Sequence, residues 1–448
     1  MKTATKERND PERVRFADRA LNESYEKVIH PSGLTVYVFP KRLTTQYALL
    51  ATRYGSVDED FYVAGENGDD GHAMHLPAGV AHFLEHKMFE NEDGVDSAQR
   101  FSALGADANA YTTTNRTVYL FGCTENFDAS LAELIRFVTH PYFPAESVER
   151  EKGIIAQEIK MYDDDPYERS FMELMNCLYE KNPVKINICG TVESIGKITP
   201  EMLYRSHRIF YHPSNMALVV CGDVTTEQVL AVVDKELSAT PSRRIVRGVC
   251  DEPPEVYMPR ADVKMPVSKP IFLIGFKDEG WRLDDAERLR RDAGMSILNE
   301  MLFSRAGRLY NALFESGKIS PGLSYGYSVS STFSFNSVGG EAEDPEAVLE
   351  DILAELARVR REGLSREDFE RSRRVMLAEH VKNFDSTAEI ANDLLSFAFD
   401  GGEIFTYGHL LSEVSFEDVT ELLHTSMAPE RVAMAVVHPA DAAEDKEE

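Results

Sequence analysis

Residues 77–90, PAGVAHFLEHKMFE, constrain this chain more than any other stretch. Pro77 opens the segment, and neither Pro nor Gly occurs between Val80 and Glu90, so it reads as a helix starting near Ala78. On a helix His82 and His86 project from one face a single turn apart, with Glu85 beside them. Two imidazoles at that spacing form half of a zinc site, and a neighbouring carboxylate that does not bind the metal can take a proton from an attacking water. The plainer reading is two helical histidines that happen to bracket a glutamate.

Composition narrows the setting. The 448 residues suffice for two to three domains, and five cysteines without a C-x-x-C argue against both a disulfide framework and a thiolate zinc site. Neither a signal-type apolar core near the N-terminus nor a membrane-length run is present in the sequence, so a cytoplasmic protein is expected. Lys and Arg number 48 against 76 Asp and Glu, a balance of −28 that disfavours nucleic acid and anionic lipid and favours a cationic ligand. Solubility alone is the competing explanation for that charge.

Periodicity then orders the chain. Residues 11–28 read as a polar helix or arm, 33–40 and 47–59 as strands, and His72 and His75 as surface residues of a Gly- and Asp-rich loop. A helix over 96–105 precedes a Thr- and Tyr-rich segment, 106–123, which reads as one long strand or a tight pair. An amphipathic helix stopped by Pro141 is followed by a second from Ala145 to Tyr162. That second helix carries Glu151 and Glu158 two turns apart, with Ile154 and Ile155 beside them. The pattern fits either a solvated face or carboxylates set into a core-facing stripe. Thr191 and Thr199 signal helix starts, and 211–224 reads as a turn and an apolar strand.

The second half repeats this order. When Phe303 is set against Phe89, Ser296, Asn299 and Glu300 fall where the first half has His82, Glu85 and His86; if these are duplicated units, the second has lost the metal groups. The fold expected is α+β, with two similar domains, each a mainly antiparallel sheet covered by helices and the second a degenerate copy of the first. The expected boundaries are an arm at 1–30, a zinc-binding domain at 31–238, a linker at 239–270, a second domain at 271–440 and an acidic tail at 441–448.

Five stretches, YGSVDE, GVAHFLEHKMFE, GADANAYTTTNRTVY, EKGIIAQEIKMYDDDP and FYHPSNMALVVCGD, together resemble the insulinase, pitrilysin and mitochondrial processing peptidase family of zinc peptidases, in its short bacterial form. The H-x-x-E-H order is the family's inversion of H-E-x-x-H. Specific motifs run from about Gly33 to Val224. The resemblance implies one zinc ion per chain held by His82, His86 and Glu158, with Glu151 orienting a ligand and Glu85 as general base. It implies that peptide adds as a strand along Asn109, Ala110, Tyr111 and Thr112, and that Tyr325 lies near the scissile bond. Where the family has a substrate-binding Arg, this chain offers Phe314, Lys318 and Pro321, with Arg305 and Arg308 further off. It also implies a dimer, with a second copy or an inactive paralogue, enclosing a chamber for peptides, basic ones favoured by the charge. Two competing readings are a metal-binding subunit needing a partner for turnover, and a peptide-binding scaffold.

Overall fold

The computed structural model describes residues 12–64 and 74–440. His72, the first eleven residues and the acidic tail lie outside the described residues. The fold is α+β and consists of two compact units.

The first unit comprises the described residues within 1–157, 187–248 and 383–399. Its larger sheet has seven strands, in the order Glu12–Asp18, Glu23–Ile29, Thr35–Pro40, Met216–Gly222, Gln46–Thr52, Thr117–Cys123 and Asp107–Thr112, and a small one joins Ile245–Arg247, Asp60–Val63 and Met74–His75. All neighbours are antiparallel except Thr35–Pro40 beside Met216–Gly222. Every residue of Met216–Gly222 is buried, which requires cover on both faces of the sheet. Helix Thr387–Phe399 packs on this strand and on Gln46–Thr52.

Residues 11–28 are expected as a helix or arm, but from Glu12 onward the chain instead forms two strands at one side of the sheet, Glu12–Asp18 and Glu23–Ile29. Phe16 lies opposite Tyr25 with the rings stacked at 4.9 Å, a cross-strand pair that a helix would separate. Residues 106–123 are the tight pair of the two options, Asp107–Thr112 against Thr117–Cys123. The linker expected at 239–270 contains a strand of each unit, Ile245–Arg247 in the first and Arg260–Met265 in the second.

The second unit comprises the described residues within 158–186, 249–382 and 400–448. Its five strands run in the order Arg260–Met265, Val432–Pro439, Ile271–Lys277, Ser334–Glu341 and Ser324–Val329. Helix Pro166–Leu178, started by Asp165 and by Pro166 in the first turn, lies on this sheet. Each unit therefore uses one helix from the other half of the chain. Both borrowed helices follow a long one, Ala145–Asp163 and Arg366–Asn383, so the exchange is itself part of the internal repeat.

Candidate metal centre

The helix of the H-x-x-E-H motif spans Val80–Met88 and starts two residues later than Pro77 suggested. Gly79 takes φ +92°, a conformation few side chains tolerate, and a Cβ there would come within 2.4 Å of the Cys189 carbonyl oxygen. Gly190 approaches from the opposite side, where a Cβ would meet the Ala78 oxygen at 2.5 Å. Ser194 donates from its hydroxyl to that same oxygen at 2.8 Å. The helix start is thus seated on a turn from a distant segment, and Phe83, Leu84 and Met88 anchor its inner face.

Helix Ala145–Asp163 runs unbroken past this site. Val148, Glu151, Ile155 and Ile159 are buried along one stripe, whereas Ile154 is exposed. Glu151 is therefore set into the core-facing stripe and does not belong to a solvated face, and Glu158 on the next turns is half-buried.

The structure brings His82, His86 and Glu158 together, their ligand atoms all within 4.8 Å of one another. His86 Nδ1 lies 3.0 Å from Glu151 Oε1. A carboxylate only accepts, so Nδ1 donates and Nε2 keeps its lone pair for a metal. Such a carboxylate–histidine pair orients metal-binding imidazoles. Two imidazole nitrogens and one carboxylate oxygen suit zinc and leave one position of a tetrahedron for water or substrate. The donor set fits the ion that the sequence implied.

Glu85 is 9% exposed and accepts a 2.6 Å hydrogen bond at Oε2 from the Thr112 hydroxyl. Behind it, the Tyr119 and Tyr211 hydroxyls share a bond of 2.7 Å. Burial pushes both phenols up, with the Glu85 charge adding to the effect, so both stay protonated.

Thr112 ends the strand Asp107–Thr112, which pairs with one neighbour and lies last in its sheet. Along that strand Asn109 Oδ1 accepts from the Ala110 amide at 2.9 Å, and Tyr111 donates to Asn392 Oδ1 at 2.9 Å. Backbone groups, more than these side chains, are what the edge offers a ligand.

Tyr325 belongs to the second unit, on strand Ser324–Val329, where its hydroxyl donates to Glu300 Oε2 at 2.9 Å. Burial and that carboxylate raise its phenol. The first unit has a parallel, since in each unit an edge-strand hydroxyl meets a carboxylate on a helix of that same unit: Thr112 with Glu85, Tyr325 with Glu300. Asn299, aligned with Glu85, instead donates to Asn336 in a buried amide pair at 2.7 Å. Lys318 pairs with Asp351, which ties up the one basic group closest to the missing Arg. Exposed His75 contacts Asp60, consistent with a surface residue.

Sequence reasoning overlooked the contacts that hold the site. Nothing in the spacing marked Thr112 as a partner of Glu85, nor Cys189, whose Sγ lies 3.8 Å from His82 Nε2. Lys87, directly after His86, was the one available signal: a charged residue on a helix otherwise apolar on that side. It is buried, paired with Glu90 at 2.7 Å and hydrogen-bonded to Ser147.

Residues 71–192 match the insulinase model, peptidase family M16, and residues 197–376 match the peptidase M16 inactive domain. An uncharacterized zinc protease of Bacillus subtilis strain 168, YmfH, is 37% identical over 412 residues, covering 91% of this chain and 95% of its own. The chain belongs to peptidase family M16. A putative M16-like peptidase from Alicyclobacillus acidocaldarius shares the M16 fold at a TM-score of 0.88 and 34% identity, over 93% of this chain and 99% of its own. A protease from Helicobacter pylori matches at a TM-score of 0.80 and 17% identity, over 93% of this chain and 99% of its own, which bears on the fold alone. The insulinase match spans His82, Glu85, His86, Glu151 and Glu158, while the M16 inactive-domain match spans Tyr325 and none of the metal group. Among the described residues no helix is long and apolar enough to cross a membrane.

Proposed function

We propose that this M16 chain is a zinc-dependent endopeptidase. The observation that carries the reading is the convergence of His82, His86 and Glu158, with Glu85 held beside them by Thr112. Zinc bound there supplies Lewis acidity at the scissile carbonyl and at the attacking water. Glu85 accepts the water's proton and delivers it to the leaving amine nitrogen. Glu151 fixes the His86 ring and its tautomer. Peptide joins the open margin of strand Asp107–Thr112 by backbone pairing, which tolerates many side-chain sequences. A protonated Tyr325 serves as a hydrogen-bond donor to substrate. The charge of −28 favours basic, unfolded peptides, and two chains together enclose the chamber that admits them, in the cytoplasm.

A second reading has one observation in its favour. Residues 197–376 match the inactive domain, and among the described residues no metal group falls within them, so in this reading the chain alone is a weakly active subunit awaiting a paralogue. Cleavage of unstructured peptides by the purified protein and by Glu85→Gln, with zinc measured in both, separates the two. The peptidase reading expects at least a thousand-fold loss in the variant with zinc retained. Equal cleavage by both proteins overturns the mechanism, and zinc without cleavage in either favours the subunit.

A further inference from the structure

Lys87 lies one residue beyond His86, and its side chain is fully buried. Its ammonium pairs with Glu90 at 2.7 Å and donates to the Ser147 hydroxyl, which in turn donates to Glu90. Arg150 closes the cluster from outside, donating to Glu90 Oε1 at 3.0 Å and to Ser147 Oγ at 3.2 Å. Lys87 and Glu90 come from the end of the H-x-x-E-H helix and the residues after it. Ser147 and Arg150 come from the first turns of helix Ala145–Asp163.

A buried ammonium is costly unless every proton finds an acceptor, and an apolar chain of similar length would fill the same space without that cost. A cluster that spans two helices holds them in one relative phase, because hydrogen bonds are directional where apolar packing is not. The helix it grips is the one that carries Glu151 and Glu158. From Ser147 to Glu158 is eleven residues, roughly 16 Å of rigid rod, so a rotation about the axis set at the cluster is carried to Glu158 and a small tilt is magnified there.

We infer that Lys87, through Ser147 and Glu90, is a positioning residue that sets the reach of Glu158 toward His82 and His86, and thereby the affinity and geometry of the metal site. The inference rests on the zinc reading above. It does not require Lys87 to touch the metal or the substrate.

The test measures zinc affinity by chelator competition in the wild type, Lys87→Met and Ser147→Ala, together with the visible spectrum of each cobalt-substituted protein. Both are read well below the unfolding transition. Lys87→Met is expected to bind zinc ten- to a hundred-fold more weakly, in the range of outer-sphere substitutions, with altered cobalt ligand-field bands. Ser147→Ala, a smaller lesion, is expected to weaken binding several-fold in the same direction. A merely structural role would lower the melting temperature while leaving both readouts of the folded protein unchanged. Folded variants with affinities within two-fold of wild type overturn the inference; so does an unchanged Ser147→Ala where Lys87→Met fails to fold. Absence of zinc binding by the wild type overturns the metal reading itself, and the inference with it.

Discussion

At the scale of single residues, position in this site counts for more than residue type. Glu85, Glu151 and Glu158 share one chemistry and differ in what they meet: Thr112, His86 and the histidine pair. Glu158→Ala is expected to abolish zinc binding, whereas Glu151→Gln should keep the ion with roughly ten- to a hundred-fold weaker affinity, as metal titration would show. Thr112→Val removes the hydrogen bond to Glu85, and kcat should fall about ten-fold with little change in zinc content, while Thr112→Ser stays near wild type in the same peptide assay. Away from the site, burial pushes Asp292 up to about 6, despite the hydrogen bond it accepts from Tyr407 and with Asp400 adding to the rise. A carboxyl whose folded pKa exceeds its unfolded value binds its proton more tightly in the fold, so its stabilising share is lost as pH rises from about 4 through 6. Asp292→Asn should therefore be more stable than wild type by roughly 1–2 kcal/mol at pH 7.5 and no more stable at pH 4, measured by urea melts.

Elements show which parts of the fold were legible in the sequence. Long periodic segments were: the helices Phe127–Thr139, Ala145–Asp163 and Pro200–Phe210, with Thr191 and Thr199 capping as expected. The motif helix was legible to within two residues, because Pro77 marks a start while only the contact with Cys189 shows that Gly79 must stay outside it. Gly79→Ala would combine a left-handed backbone with a carbonyl clash, so about 2 kcal/mol or more should be lost, along with zinc affinity, in thermal melts and metal titration. Strands Glu12–Asp18 and Glu23–Ile29 were illegible for a physical reason. The outermost strand, Glu12–Asp18, is mostly exposed and Glu23–Ile29 mostly half-buried, so clear apolar alternation is absent, and Glu, Arg, Lys and Ala favour helix until pairing overrides them. Glu85 and the two histidines were legible as a local spacing, whereas Thr112, Lys87 and Ser147 act through contacts between segments far apart in sequence, which no local pattern encodes.

For the whole molecule, the repeat is visible in element order, in the two sheets, and in the edge hydroxyl that meets a helix carboxylate in each unit. If the chain acts as a pair, light scattering should report twice 50.4 kDa, and a mass of one chain would remove the enclosed chamber from the proposal. The borrowed helices carry a further consequence. Helix Pro166–Leu178 has its packing partners in the second unit, and Thr387–Phe399 has its own in the first. Cut between Gly248 and Val249, each fragment would carry one helix with no sheet to cover and lack the one its own sheet needs. The fragments should aggregate when produced apart and recover a soluble complex when produced together, and a folded monomer from either alone would contradict this. Recombination at that junction would meet the same difficulty: an ancestor that exchanged whole halves with a relative would receive a helix shaped for someone else's sheet. If the halves arose by duplication, the shared helices bind them to be inherited together, which would leave the second copy free to lose its metal groups but not to be lost.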